Sequence, residues 1–333
     1  MDTHELLRKI TTFPIAAEVL AEDLLAGNFR SVFKGQGIEF DEVRHYQWGD
    51  DARSIDWNAS ARFGVPFVKM YREERELTIM ILLDTSASMR RSSAALPVPG
   101  EGAAAQCLTP YEQALLASAL IAFSAERTGQ RVGAFLFDRE IDRVFAPRKG
   151  RRHAMALISG ALQYQNHPFP RRGHTGQSSN LREALAGAGR LLKRRSLVVL
   201  ISDFLSVNWE RELGDLSRKH DVIALRISDP LDTDTGLPDL GLITMEDPET
   251  GLRIEALSGS ASFREAWSQW HEDRSDLWVN LCRRAGAAHL ELSTAGDAAA
   301  ALFRFFGGRP HRDRRHAARG VAGRTAFSFE SLV

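Results

Sequence analysis

Cysteine is nearly absent: Cys107 and Cys282 are the only two in 333 residues, which excludes a disulfide framework and any zinc site built from several thiolates. No apolar run approaches the roughly 18 uninterrupted residues of a membrane-spanning helix. The strongest, Leu77 to Leu83 and Ala114 to Phe123, are much shorter. Neither sign of charge is in excess, because 43 Lys+Arg balance 43 Asp+Glu. The chain therefore lacks the broad basic footprint of a nucleic-acid binder or a membrane-coating protein. It also lacks a Gly-x-x-x-x-Gly-Lys-Ser/Thr phosphate loop, so ATP hydrolysis is not expected of it. Among the 10 histidines no pair has metal-ligand spacing on a recognisable helix. The first thirteen residues scatter Asp2, Glu5, Arg8 and Lys9 among few apolar positions, unlike a secretory signal, which makes cytoplasmic residence the default expectation.

What is present is an ordinary globular composition, 44% hydrophobic and 26% charged, at a length that suggests roughly two domains. From Leu77 onward, short β-rich runs alternate with amphipathic helix-length stretches, the pattern of an α/β doubly wound, mostly parallel sheet with helices on both faces. Strands are expected at 77–83, 131–137, 197–201, 222–227 and 289–292, with an edge hairpin strand at 141–145. Helices are expected from Thr109 to Gly129 and at 151–164, 181–193, 210–219, 262–284 and 297–306. Thr109, Pro110 and Glu112 carry a capping box with proline at the first helical position. Residues 1–76 form a smaller N-terminal unit: a helix over 14–26, then a segment of aromatics and charges. The α/β domain spans 77–306. The Ser-, Ala- and Pro-rich stretch 90–108 reads as a surface loop, and the basic tail 307–333 as disordered.

The run Ile81-Leu82-Leu83-Asp84-Thr85-Ser86-Ala87-Ser88 carries an apolar strand directly into Asp-x-Ser-x-Ser. In an open parallel sheet, ligands bind beyond the carboxyl ends of the strands. Asp and Ser there are also common turn and cap residues, but two later segments fall on the same edge. Ser178-Ser179-Asn180 opens a helix, and Ser202-Asp203-Phe204 follows the strand at 197–201. Asp84, Ser86, Ser88, Ser179 and Asp203 then form an oxygen-only set with two carboxylates, suited to a hard divalent cation such as Mg²⁺ or Mn²⁺. Ser178 is the alternative to Ser179.

This order of motifs resembles the metal-ion-dependent adhesion site of von Willebrand factor A domains. The resemblance implies a metal that keeps one position open for an acidic side chain of a partner. A second stretch, Gly37-Ile38-Glu39-Phe40-Asp41-Glu42-Val43-Arg44-His45-Tyr46-Gln47-Trp48-Gly49-Asp50-Asp51-Ala52-Arg53-Ser54-Ile55-Asp56-Trp57-Asn58-Ala59-Ser60-Ala61-Arg62, is similar to the signature of the bacterial domain of unknown function 58. That likeness covers about residues 25 to 306. It implies a metal-dependent protein-binding module, not an enzyme, acting as an adaptor or chaperone-like partner of a MoxR-type AAA+ ATPase and a client protein; many proteins of that kind carry membrane helices, but the short apolar runs of this sequence lead us to expect no membrane insertion. Physically, Arg44, Arg53 and Arg62 with Asp50, Asp51 and Asp56 are expected to form a charge network around Tyr46, Trp48 and buried Trp57, bracing the first unit. The enzyme alternative is an aspartic-type protease using Asp84 and Asp234, the latter in Asp234-Thr235-Gly236.

Overall fold

The computed structural model describes residues 38–48, 50–51, 54–73, 77–90, 108–165, 179–232, 239–246 and 253–307. Strands β1 (Ile38–His45) and β2 (Phe67–Glu73) pair antiparallel around the short helix α1 (Trp57–Phe63). Asp56 caps that helix by accepting from the backbone N–H of Asn58 and Ala59, at 3.0 and 3.1 Å. Gly64 closes it in the left-handed conformation at φ 72°, which costs a glycine little. One arm of the expected charge network is present: Arg44 grips Asp50 through two hydrogen bonds of 2.8 and 2.7 Å. The expectation of a buried aromatic centre fails. Trp57 is 72% exposed and Trp48 fully so, because α1 buries no residue and has no apolar face to turn inward. Arg53 lies outside the described residues, as do the expected helix at 14–26 and the basic tail.

The main body is a six-stranded sheet in the order β10-β7-β6-β3-β4-β5. Its strands are β3 (Thr78–Asp84), β4 (Arg131–Phe137), β5 (Ile141–Arg148), β6 (Leu197–Ser202), β7 (Asp221–Ser228) and β10 (Ala288–Ser293). All neighbours are parallel except β4 and β5, so the expected edge strand is the one antiparallel element of this sheet. It approaches β4 closely: a Cβ on Gly133 would sit 2.6 Å from the Phe145 carbonyl oxygen, which leaves room only for glycine. A separate hairpin, β8 (Leu242–Glu246) and β9 (Arg253–Leu257), was not anticipated. Leu242, Ile254 and Leu257 on it are exposed, so it carries no buried stripe that a sequence pattern would betray.

Alternation along the central strands divides the core in two, since successive side chains face opposite ways. Ile79, Ile81 and Leu83 pack with α2 (Pro110–Arg127), α3 (Arg151–Gln165) and α7 (Ala298–Gly307). Met80 and Leu82 pack on the other side with α4 (Leu181–Leu191), α5 (Glu210–Lys219) and α6 (Ala261–Ala285). Burial on both faces is why β3 is an unbroken apolar run rather than an alternating one. The capping box of α2 forms as expected. Thr109 Oγ1 accepts from the Glu112 N–H at 3.1 Å, and the Glu112 carboxylate accepts from the Thr109 N–H at 2.8 Å.

Exposure separates two tryptophans that composition cannot. Trp278 of α6 is 4% exposed, so Trp278→Ala is expected to lower unfolding stability by about 3–5 kcal/mol. Trp57→Ala should change it by no more than about 0.5 kcal/mol. Denaturant unfolding of the two variants checks this, and a large loss in Trp57→Ala would mean that its ring is covered in solution.

Candidate metal site at the carboxyl edge of the sheet

The chain leaves β3 for β4 and β5 on one side, then returns to the other side of β3 as β6, β7 and β10. The order therefore reverses between β3 and β6, and at such a switch point adjacent loops diverge and leave a crevice. Asp84 is the last residue of β3, and Ser202 the last of β6 with Asp203 next. The loop after Asp84 is tied to the end of β4, where the Thr85 N–H donates to the Phe137 carbonyl at 2.8 Å and its hydroxyl to the same oxygen at 3.0 Å. The start of α4 is tied there too, through the Asn180 N–H to the Asp138 carbonyl at 2.6 Å. Ser179, buried, precedes that contact.

Within the crevice Asp84 is fully buried. One carboxylate oxygen accepts from the Ser86 N–H at 2.9 Å, and the other from the Ser202 hydroxyl at 2.6 Å. The hydroxyls of Ser86 and Ser88 lie 3.0 Å apart. Asp203 is 4% exposed; its Oδ1 accepts from the Leu205 N–H at 3.0 Å, and its Oδ2 is buried with no hydrogen-bond partner among the described residues. Burial first, then the nearby Asp203 charge, pushes the Asp84 carboxyl up to about 7 against the opposing hydrogen bonds from Ser202 and Ser86. Two carboxyl groups thus share a dry pocket, and one of them has an oxygen left over. An unsatisfied buried polar atom costs about 1–3 kcal/mol, and a divalent cation removes both that deficit and the like-charge repulsion. The donors are oxygen atoms, which fits a hard cation. Among the described residues no group of three or more His, Cys, Asp and Glu could hold a metal, so a cation here depends on the serine hydroxyls.

Three of the expected residues, Asp84, Ser86 and Ser88, come together on one loop, joined through Ser202 to the loop of Asp203. Ser179 stands at the head of α4, while Ser178 and Asp234 lie outside the described residues. Sequence reasoning passed over two participants. Ser202 ends an apolar strand with no local sign of its role, yet its hydroxyl both donates to Asp84 and accepts from the Phe204 N–H at 3.0 Å. Arg274 of α6 donates to the carbonyls of Phe204 and Leu205, each at 3.1 Å. It is some 70 residues from them in sequence, and no local signal could reveal it. Together with the contacts of Phe204 to Trp209 and Trp278, at 5.3 and 5.6 Å between ring centroids, it holds Phe204 at φ 56°, a conformation uncommon for a bulky residue.

Strand order, a single antiparallel edge strand and an Asp-x-Ser-x-Ser loop at the switch point define a doubly wound α/β domain of the von Willebrand factor A type. The chain belongs to the family described as "Protein of unknown function DUF58", whose profile matches residues 42–276. It is 29% identical to the uncharacterized protein Rv1480 of Mycobacterium tuberculosis over 311 residues, covering 93% of this chain and 91% of that protein. The uncharacterized protein Mb1516 of Mycobacterium bovis gives the same figures, 29% over 311 residues with 93% and 91% covered. Among solved structures, the conserved hypothetical protein BatB from Bacteroides thetaiotaomicron has a TM-score of 0.39 at 13% identity, covering 70% of this chain and 98% of that one. The SpRpn10 VWA domain has a TM-score of 0.35 at 10% identity, with 69% and 95% covered.

The raised carboxyl has a direct consequence for stability. Between the ordinary value of 3.8 and about 7 the folded chain keeps a proton at Asp84 that the unfolded chain has released. Stability from this group is therefore full below about pH 4 and falls as pH rises through about 7. In metal-free buffer the wild type is expected to lose up to about 4 kcal/mol more than Asp84→Asn between about pH 4 and pH 8. Chemical denaturation of both proteins across that range checks it, and parallel pH profiles would mean that the carboxyl is hydrated.

Proposed function

We propose that the protein is a divalent-cation-dependent protein-binding module. Asp84, Ser86, Ser88, Ser179 and Asp203 hold Mg²⁺ or Mn²⁺ in this reading, and a carboxylate of the partner completes the shell. The observation that carries it is the buried, unpartnered Oδ2 of Asp203 beside the fully buried Asp84. When bound, the cation supplies a positive centre at the carboxyl edge of the sheet. The chain's own groups do the rest. Two carboxylates neutralise the ion, the hydroxyls add no charge, and one more anion is accepted without a large excess of negative charge. A lysine or arginine from the partner would instead be repelled.

Residues 77–306 form the binding domain in this reading, 1–76 the unit that braces it, and 307–333 a basic tail. The partner that the family resemblance suggests is a MoxR-type AAA+ ATPase, with a client protein whose assembly or activation it assists, in the cytoplasm. Among the described residues no helix is long and apolar enough to cross a membrane.

Metal binding is the first thing to measure. At a Mg²⁺ concentration about 100 times the dissociation constant, stability should rise by about 2.7 kcal/mol. Asp203→Asn and Ser86→Ala should lose most of this gain while keeping the wild-type circular dichroism spectrum. Affinity capture from the native cell should then return a partner that chelator releases and that Asp84→Ala fails to retain. Capture at full strength in chelator would reject a metal-bridged interface.

A further inference from the structure

One strand away from the proposed metal loops, β7 ends in a buried guanidinium that forms no ion pair among the described residues. Val222 and Ala224 of β7 face α4, α5 and α6 in the apolar core, and Arg226, next on the same face, is 6% exposed. Its guanidinium lies 5.8 Å from the ring centroid of Trp278, and its Nη1 is buried without a hydrogen-bond acceptor. In register, Arg226 pairs with Ser202 on β6 and with Glu291 on β10. Glu291 is exposed, and among the described residues it forms no ion pair with Arg226. Buried guanidinium groups ordinarily have such a partner.

The missing partner has a place to sit. Arg226 lines a cavity of about 380 Å³ at the carboxyl ends of β7 and β10, walled by α6, within the size range of small-ligand sites. Ser228 and Ser293, paired across the two strands, and Ser275 of α6 line it with hydroxyls. Asp229, 4% exposed, also lines it, so a buried carboxylate stands in the same wall as the cation; its Oδ1 accepts from the Leu231 N–H at 2.9 Å. Glu272 and Glu291, both exposed, line it too. Deep in the wall Arg226 is balanced only by Asp229, while Glu272 and Glu291 make the exposed side acidic, which favours a ligand with its anion inside and its cation outside.

We infer that this cavity binds a terminal α-carboxylate carried on a basic residue, with the carboxylate on Arg226 and the side-chain cation between Glu272 and Glu291. Free arginine or lysine and a peptide ending in either have this chemistry in common. The site is separate from the proposed metal shell and uses none of its residues.

The test uses the full chain in EDTA, so that its outcome does not depend on metal occupancy. Three probes are titrated calorimetrically: acetyl-Gly-Gly-Arg with a free carboxylate, the same peptide as its C-terminal amide, and free L-arginine. The acid peptide is expected to bind at least about tenfold more tightly than the amide, since removing one member of a buried charge pair is costly. L-arginine matching the acid peptide would identify an amino-acid site, and weaker binding of L-arginine a peptide-end site. Arg226→Met should abolish the preference for acid over amide. It should also leave the melting temperature unchanged or higher, because an apolar isostere relieves a buried unpaired charge. Glu272→Gln with Glu291→Gln, both on the surface, should weaken the acid peptide severalfold. Equal binding of acid and amide, no binding of either, or undiminished binding by Arg226→Met would overturn the assignment. So would a lowered melting temperature in Arg226→Met without peptide, which would make the guanidinium a structural support for Trp278.

Discussion

A carboxylate held out of water at the end of the central strand is the constraint around which this edge of the molecule is arranged. Six of the seven residues of β3 are buried, with helices on both faces, and Asp84 inherits that dryness. Leaving the charge there requires compensation from every side. The Ser86 N–H and the Ser202 hydroxyl supply part of it locally. The close Asp203 works against them. Hydrogen bonds to a carboxylate are worth more than those to neutral groups, yet here they do not outweigh burial and like charge. Burial and like charge together hold the Asp84 carboxyl above its ordinary range.

The loop after β6, which bears Asp203, is kept in position from the far side of the fold. Its Phe204 adopts a left-handed backbone that a bulky residue seldom takes, and it does so among Trp209, Trp278 and the two hydrogen bonds from Arg274. Strain of this kind persists only where the surroundings over-determine it. Helix α6 thus serves two neighbouring features: Arg274 fixes the loop that bears Asp203, and Trp278 faces the guanidinium of Arg226. Two adjacent strand ends, β6 and β7, carry opposite charges within one register step, Asp203 following Ser202 and Arg226 opposite Ser202. A buried carboxylate and a buried guanidinium therefore lie on adjacent strand ends at one edge of the sheet.

Much of this was readable from the residues in order. Period and capping are local properties, so the six sheet strands and the helices α2 to α7 fall within a few residues of their expected places. The capping box of Thr109 and Glu112 formed as written. Asp84, Ser86 and Ser88 announce themselves because an apolar strand running into alternating hydroxyls is a short-range pattern. Exposure was not legible in the same way: Trp57 looked like core from its type, and only the lack of a buried face on α1 turns it outward. The hairpin β8–β9 escaped for the converse reason, since its apolar side chains are exposed.

What the sequence alone determined, then, is which segments become strand or helix and which loops bear the carboxylates and hydroxyls, because those depend on neighbours within a turn or two. Tertiary structure decided the rest. The Ser202 hydroxyl reaches a carboxylate 118 residues away, Arg274 reaches back across some 70 residues to the loop of Asp203, and Arg226 comes to lie in an apolar row with no ion-pair partner among the described residues. Each follows from the order in which parallel strands were laid side by side, and that order is set by the burial of two whole faces rather than by any residue that later serves the site.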